Sequence, residues 1–215
     1  QATGLVAGTY VCTVTDANSC TTTESVTITQ PAAALTASIT AQSDFNGVGV
    51  SCNGGSDGTA TAAGAAGTSP YTYSWNTNPV QTTAQATGLV AGTYVCTVTD
   101  ANSCTVTTSA TITQPAAALS ASNTTSSYNG VGVSCNGASD GTATAAGTGG
   151  TGSYTYSWNT TPSQTTAQAT GLVAGAYVCT VTDANSCTVT TSATITESAV
   201  LVSTSTMVMV NCNGG

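Results

Sequence analysis

The chain has 215 residues, with eight Asp and Glu residues and no Lys, Arg or His. Because nucleic-acid binding needs side-chain cations that displace counterions from phosphates, this composition excludes a DNA- or RNA-binding protein and disfavours anionic lipid surfaces. It also lacks the histidine and lysine bases of most active sites, so we expect neither an enzyme nor a cofactor.

Three near-identical segments dominate the sequence. Residues 1–30 recur at 85–114 with three differences, and 85–114 recur at 168–197 with two. Such self-similarity predicts tandem repeats of about 83 residues. The predicted domains are the last third of a preceding repeat at 1–30, complete repeats at 31–114 and 115–197, and the start of a following repeat at 198–215. We therefore expect the chain to be an excerpt of a longer array.

Short alternating segments within each repeat predict about seven β-strands. In the first complete repeat these strands are Leu35–Thr40, Val48–Cys52, Gly58–Ala63, Tyr71–Trp75, Thr82–Thr87, Thr93–Thr99 and Cys104–Thr113. Pro and Gly lie between them, and no stretch shows a helical period with caps. This pattern favours an all-β chain, built as a tandem array of immunoglobulin-like sandwiches.

The segment TYVCTVTD is the clearest strand. Its alternation places Tyr94 and Cys96 on one face, and the Tyr-x-Cys spacing is typical of the F strand of an immunoglobulin domain, with its tyrosine corner and core cysteine. The following DANS sequence predicts a tight turn, since Asp and Asn side chains satisfy local backbone groups. We expect this turn to pair Thr99 with Cys104.

Nine cysteines in a chain without histidine indicate disulfides rather than zinc, and hence an oxidising, extracellular location. Cys96 and Cys104 lie about 10 Å apart across the predicted hairpin, too far for a bond. Two pairings stay open: Cys52 with Cys104, which we prefer, and Cys52 with Cys96. By repetition, the preferred pairing would also join Cys135 to Cys187.

Either pairing leaves one cysteine in each repeat without a partner. With the preferred pairing these odd cysteines are Cys12, Cys96 and Cys179. Two interpretations stay open for them. One is a buried free thiol that packs like a small apolar side chain, and the other is a bridge to a neighbouring repeat or chain.

Two further sets of residues recur. We expect aromatic residues to fill the core, namely Tyr73, Trp75, Tyr94, Tyr156, Trp158 and Tyr177. Stacking on sugars is the alternative for the aromatic strands, whose members are Tyr71, Tyr73 and Trp75 and their copies Tyr154, Tyr156 and Trp158. We expect the recurrent acids to shape turns, with a weak calcium site as the alternative. These acids are Asp57, Asp100, Asp140 and Asp183.

The ordered segments VSCNGGSDGTATAAG, SPYTYSW and GLVAGTYVCTVTDANSCT resemble the SprB repeat of Bacteroidota surface proteins. Segments of this kind cover both complete repeats and both fragments. The resemblance implies a giant secreted adhesin that is exported by the type IX system, displayed on the outer surface and used by some bacteria for gliding motility. Many members carry two cysteines per repeat, in the CNG and DAN-x-C segments, which supports pairing Cys52 with Cys104.

These features together predict a structural and adhesive extracellular repeat array, acting as a stalk or filament for surface attachment or gliding motility. Its expected partners are neighbouring repeats or other copies of itself, with surface glycans as a further candidate. The alternative function is a glycan- or calcium-dependent binding module. Since no apolar run is long enough to span a bilayer, we expect no direct membrane insertion.

Overall fold

A computed structural model describes residues 1–205 of the chain. Those residues form strands and no helix, so the predicted all-β class is confirmed. The strands are β1 (Gly8–Thr15), β2 (Thr21–Ile28), β3 (Thr36–Gln42), β4 (Gly58–Ala65), β5 (Thr72–Trp75), β6 (Gln85–Leu89), β7 (Gly92–Thr99), β8 (Thr105–Ile112), β9 (Ser120–Thr125), β10 (Gly141–Thr148), β11 (Thr155–Trp158), β12 (Gln168–Leu172), β13 (Gly175–Thr182) and β14 (Thr188–Ile195). Cys212, in the predicted start of a following repeat, lies outside the described residues.

The chain forms two compact units. Among residues 1–205, the first contains residues 1–43 and 57–112, and the second contains residues 44–56 and 113–205. By sequence the loop 44–56 belongs to the first complete repeat, yet it is part of the second unit. The repeat length and the repeat boundaries stay predictions, because compactness follows contacts rather than sequence periodicity.

The first unit contains a β-sandwich. One antiparallel sheet has the strand order β3-β4-β6, and the other has the order β5-β7-β8. These correspond to the A-B-E and C-F-G sheets of an immunoglobulin domain without its strand D. Buried side chains come from both sheets, among them Ala60, Trp75, Cys96 and Val98. Residues 8–28 of the same unit form the two-stranded sheet β1-β2, whose side chains are mostly exposed.

The second unit has the same arrangement, with sheets β9-β10-β12 and β11-β13-β14. Its core cluster is Val133, Ala143, Ala145, Trp158, Ala169, Leu172, Cys179, Val181, Ala193 and Ile195. Small side chains on β10 and β12 therefore share the core with one large indole, which keeps the packing dense. A Cβ at Gly147 would lie only 3.0 Å from side-chain atoms of Tyr154 and Val181, so a larger residue there would require those side chains to move.

The predicted strand Val48–Cys52 is wrong, and within residues 1–205 each complete repeat has six strands rather than about seven. The Asn-Gly turn before it does form, with Asn46 at a φ of 53°. Beyond the turn, the N–H groups of Gly49 and Val50 both donate to the carbonyl of Thr113. Two successive N–H groups that share one carbonyl indicate a loop. In a strand, the N–H groups would instead bond to successive positions along a partner strand.

The tyrosine corner predicted for the F strand is present in both units. The Tyr94 hydroxyl donates to the carbonyl of Val90, and the Tyr177 hydroxyl donates to that of Val173, each at 3.1 Å. Each bond joins the start of a strand to the chain four residues upstream, as in immunoglobulin domains. The corner therefore fixes where β7 and β13 enter their sheets.

The hairpin β7-β8 differs from the prediction by one residue. It pairs Thr99 with Thr105, so the expected pairing of Thr99 with Cys104 is wrong. The reason is a longer loop, in which the Asp100 N–H donates to the Cys104 carbonyl at 2.9 Å and Ser103 takes a φ of 65°. Cys104 therefore lies at the tip of the hairpin rather than in its ladder.

Candidate functional site

A disulfide bond between Cys52 and Cys187 lies in the second unit. Its Cα atoms are 5.8 Å apart, which is ordinary for a disulfide. The bond joins the CNG element of the first complete repeat to the DANSC element of the second, across a sequence separation of 135. Pairing of Cys52 with Cys104 or Cys96 is therefore wrong, as is a bond between Cys135 and Cys187.

The loop 44–56 explains this pairing, because hydrogen bonds hold it against the start of the second repeat. Asn53 Nδ2 donates to the carbonyl of Pro115 at 2.7 Å. The Gly54 N–H donates to Gln114 Oε1 at 2.9 Å. Gln114 and Pro115 form the linker between the two complete sequence repeats. Bonds to these two residues place the CNG cysteine within the second unit, where its partner Cys187 lies.

Asn185 binds the same loop beside the disulfide. Its Nδ2 donates to the carbonyls of Phe45 at 3.2 Å and Ser51 at 3.0 Å, while Asn46 Nδ2 donates to its Oδ1. Both ends of the amide are thus used to hold the loop. Sequence reasoning missed Asn185 and Asn46, although an asparagine recurs in every DANSC and FNG or YNG segment.

Asp183 shapes the turn that presents Cys187. Its carboxylate is buried, and its Oδ1 accepts the N–H groups of Asn185 and Cys187, both at 2.9 Å. Its Oδ2 accepts the N–H of Thr151 at 2.9 Å. Because backbone donors use both oxygens, Asp183 acts as a structural cap of the turn.

These contacts form one assembly, which we call the disulfide joint. Its members are the loop 44–56, Gln114, Pro115, Asp183, Asn185 and Cys187. All of them belong to the second compact unit. The joint can do one thing chemically, which is to hold two sequence repeats together through a covalent bond that thiols can reduce.

Asp100 holds the equivalent turn of the first unit in the same way. Its Oδ1 accepts the N–H groups of Asn102 and Cys104 at 2.9 Å, and its Oδ2 accepts that of Thr68 at 3.0 Å. Burial would raise the pKa of Asp100, but these donors outweigh burial and bring the pKa below its ordinary value of 3.8. Both buried acids of the candidate calcium set are thus turn caps.

The other two acidic candidates are exposed and precede strands. Asp57 lies before β4 and Asp140 lies before β10. Asp140 Oδ1 accepts the N–H of Ser134 at 3.1 Å, and the hydroxyl and N–H of Ser134 lower the pKa of Asp140. In residues 1–205 no three His, Cys, Asp or Glu side chains come together in a group that could hold a metal ion.

The remaining cysteines fall into a buried and an exposed set. Cys96 and Cys179 are free thiols with no exposed surface, and burial raises the pKa of both. They pack as small apolar side chains inside the sandwiches. The exposed free thiols are Cys12, Cys20, Cys104 and Cys135.

The recurrent aromatic residues lie in the cores or at the corners. Trp75 and Trp158 are each 1% exposed, and each indole N–H donates to a carbonyl at 3.1 Å, that of Thr83 or Thr166 respectively. The half-buried tyrosines are Tyr73, Tyr94, Tyr156 and Tyr177. Both tryptophans of the candidate sugar-stacking strands are therefore turned into the core.

The SprB repeat model matches the chain at two places, residues 48–80 and 128–162. Each match contains a CNG element and extends past the following YTYSW strand. No curated protein matches the chain significantly. Among residues 1–205, no helix combines the length and the hydrophobicity that crossing a membrane requires.

Two solved structures align with most of the chain. The N-terminal eight Ig domains of Down Syndrome Cell Adhesion Molecule, isoform 1.30.30, align over 89% of it, with 10% identity and a TM-score of 0.34. A tetra-tandem repeat in the extending region of a large adhesion protein aligns over 91%, with 16% identity and a TM-score of 0.25. The chain spans only 28% and 58% of those two chains.

The two SprB matches confirm the resemblance that the CNG and YTYSW segments indicated, while the DANSC segments lie outside the matched ranges. The chain therefore contains two segments that match the SprB repeat, one in each complete copy of its own sequence repeat.

Proposed function

We propose that the chain is a load-bearing, adhesive repeat region of an extracellular bacterial surface protein, acting as a stalk or filament in attachment or gliding. The SprB repeats support a surface adhesin, and the disulfide supports an oxidising location outside the cytosol. The composition supports the same role, because a chain without Lys or Arg has no site for trypsin-like proteases. This function requires no catalytic group of side chains.

The observation that carries the proposal is the bond between Cys52 and Cys187. Tension applied at the ends of the chain passes from Cys52 directly to Cys187, so the residues between them stay out of the load path. Pulled out straight, a sequence separation of 135 would span about 460 Å. The bond therefore keeps an array from lengthening when a sandwich unfolds, which is the property that a tether needs.

Single-molecule force extension tests the load-bearing role. The chain is tethered by its two ends and pulled to full extension, first oxidised and then in a thiol reductant. We expect the reduced chain to reach about 460 Å further, because the closed loop opens. The control is Cys104→Ser, which removes an exposed free thiol and should change neither length. Equal lengths with and without reductant would refute the load-bearing role.

Retention of coated beads under flow tests the adhesive part separately. Beads that carry the oxidised chain are washed over glass and over surfaces that display glycans, and are compared with beads that carry an unrelated immunoglobulin-like domain. We expect stronger retention of the coated beads on bare glass without calcium. Equal retention of both bead types would refute the adhesive role and leave the load-bearing role untouched. Retention only with calcium or one sugar would favour the alternative binding module.

A further inference from the structure

The first unit has an open pocket beside the exposed thiol of Cys104. The pocket has a volume of about 390 Å³, and its lining includes Gln30, Pro31, Leu35 and Gly67. Most of this lining is apolar or small, so the pocket suits a compact loop better than a charged ligand. A thiol at the edge of such a pocket can bond covalently with a cysteine on whatever fills it.

The sequence repeat relates this pocket to the disulfide joint. The corresponding pairs are Gln30 with Gln114, Pro31 with Pro115, and Cys104 with Cys187. In the joint, the second member of each pair contacts the loop 44–56. Pro115 is accordingly buried, whereas Pro31 is exposed. The pocket is therefore the counterpart of a position where the chain already seats a CNG loop.

The turn that carries Cys104 is already shaped for such a contact. Its capping by Asp100 matches the capping in the joint, and Ser103 has a φ of 65° where Ser186 has 67°. Asn102, which corresponds to the loop-binding asparagine of the joint, is exposed, and its Nδ2 donates to Thr68 Oγ1 at 2.8 Å. The amide is thus held in place before any loop arrives.

The loop around Cys135 is the matching half of another joint. Residues 127–139 differ from residues 44–56 at only three positions. The loop has the same local contacts, since the Gly137 N–H donates to Glu197 Oε2 at 2.8 Å and Asn129 has a φ of 51°. Cys135 itself is free and exposed. One chain thus presents both halves of the joint in unbonded form.

We propose that Cys104 is a docking and disulfide site for the CNG loop of a preceding SprB repeat, and that Cys135 in turn bonds the DANSC cysteine of a following repeat. Every repeat is then bonded to the one before it and the one after it. The closed loops overlap, since each spans 135 residues while a new one starts every 83 or so. The array becomes a staggered disulfide ladder.

The bond-forming step needs a two-electron oxidant, which we take to be a small-molecule disulfide. The Cys104 thiolate attacks that disulfide, forms a mixed disulfide and releases one thiol. The thiolate of the incoming CNG cysteine then attacks the Cys104 sulfur and releases the second thiol. The two cysteines together lose two protons and two electrons, and the two released thiols carry these protons and electrons away.

An extended chain tests the pairing rule. Residues 31–84 are repeated in front of Gln1, so that residues 1–30 become the end of a complete repeat with one added CNG cysteine. The chain is refolded with oxidised and reduced glutathione, digested with pepsin at acid pH to prevent exchange, and mapped by mass spectrometry. We expect the added cysteine in a bond to Cys104, with the bond between Cys52 and Cys187 retained and alkylation of Cys104 lost.

Three results would overturn the ladder. The first is a bond from the added cysteine to Cys20, the DANSC cysteine of its own completed repeat. The second is an added cysteine that stays free, and the third is the loss of the bond between Cys52 and Cys187. The matched control changes the added cysteine to Ser, which should restore alkylation of Cys104 and nothing else. The ladder rests on the proposed tether only for its biological use, so a failure here leaves the force-extension result standing.

Discussion

Removing the bond between Cys52 and Cys187 should cost the second unit much of its stability. The perturbation is the double substitution Cys52→Ser with Cys187→Ser. Removing both partners means that neither is left as a thiol that could pair with another cysteine. In the chain-entropy model, closing a loop with a sequence separation of 135 stabilises the folded state by about 5 kcal/mol at 25 °C. A whole domain is stable by only about 5–15 kcal/mol, so the variant should be marginal.

Urea unfolding measures this loss. Trp158 reports on the second unit because it is buried there, and Trp75→Phe removes the other indole signal. With a denaturant slope of about 1–3 kcal/mol per molar urea, a loss of about 5 kcal/mol lowers the midpoint by roughly 2–5 M. The assay compares the double variant with the parent chain, both without reductant.

The matched control is the double substitution Cys104→Ser with Cys135→Ser. Both of these cysteines are exposed and free, so their removal should change stability by no more than about 0.5 kcal/mol. Two results would refute the reasoning. One is an unchanged midpoint after loss of Cys52 and Cys187, and the other is an equal drop in the control.

Three further predictions concern single side chains. Cys179 should resist iodoacetamide in the folded chain at pH 8 and react only after unfolding, because it is buried with a raised pKa, whereas exposed Cys135 should react at once; peptide mapping decides this. Asp100→Asn should lower the urea midpoint at pH 7. The carboxylate contributes stability only while it is ionised, so the difference from the parent should vanish as the pH falls from about 3.8 through the lowered pKa of the folded state. Tyr177→Phe should cost about 1 kcal/mol in urea unfolding, since it removes the hydroxyl that donates to Val173; an unchanged midpoint would show that the corner bond adds nothing.

Local pattern was enough to predict most strands and the character of their buried faces. The segment TYVCTVTD forms β7, with Cys96 and Val98 buried and the corner made by Tyr94. Trp75 fills the core as its place on the aromatic strand indicated. These predictions hold because alternation fixes which face a residue takes, and burial then follows from apolar character.

The segment Val48–Cys52 shows where alternation misleads. Val48 and Val50 are two residues apart, which is the pattern of a strand, and Val50 is indeed fully buried. Yet the backbone there bonds to Thr113, far along the chain, and not to a neighbouring strand. A buried apolar residue can anchor a loop as well as a strand, and only the acceptor of its N–H tells the two apart.

The sequence alone could not predict which DANSC cysteine bonds to Cys52, because the repeats are nearly identical. A CNG cysteine has a DANSC partner available in its own repeat and another in the next, in the same local context. Loop entropy hardly separates them, since closing about 52 residues is worth roughly 4 kcal/mol and closing 135 roughly 5. The choice is made by the loop 44–56, whose bonds to Gln114 and Pro115 belong to the second unit.

That choice decides what the bond does mechanically. A bond within each repeat would protect one sandwich and leave the linker at Gln114 and Pro115 to carry the load alone. A bond from Cys52 to Cys187 crosses that linker, so the linker lies inside the closed loop. Near-identity of the repeats then has a physical reason, because every repeat must offer a CNG loop to one neighbour and a DANSC turn to the other. A substitution of Asn185 or Asn53 in one copy would therefore weaken the link between two repeats and, with it, the unit that holds the loop.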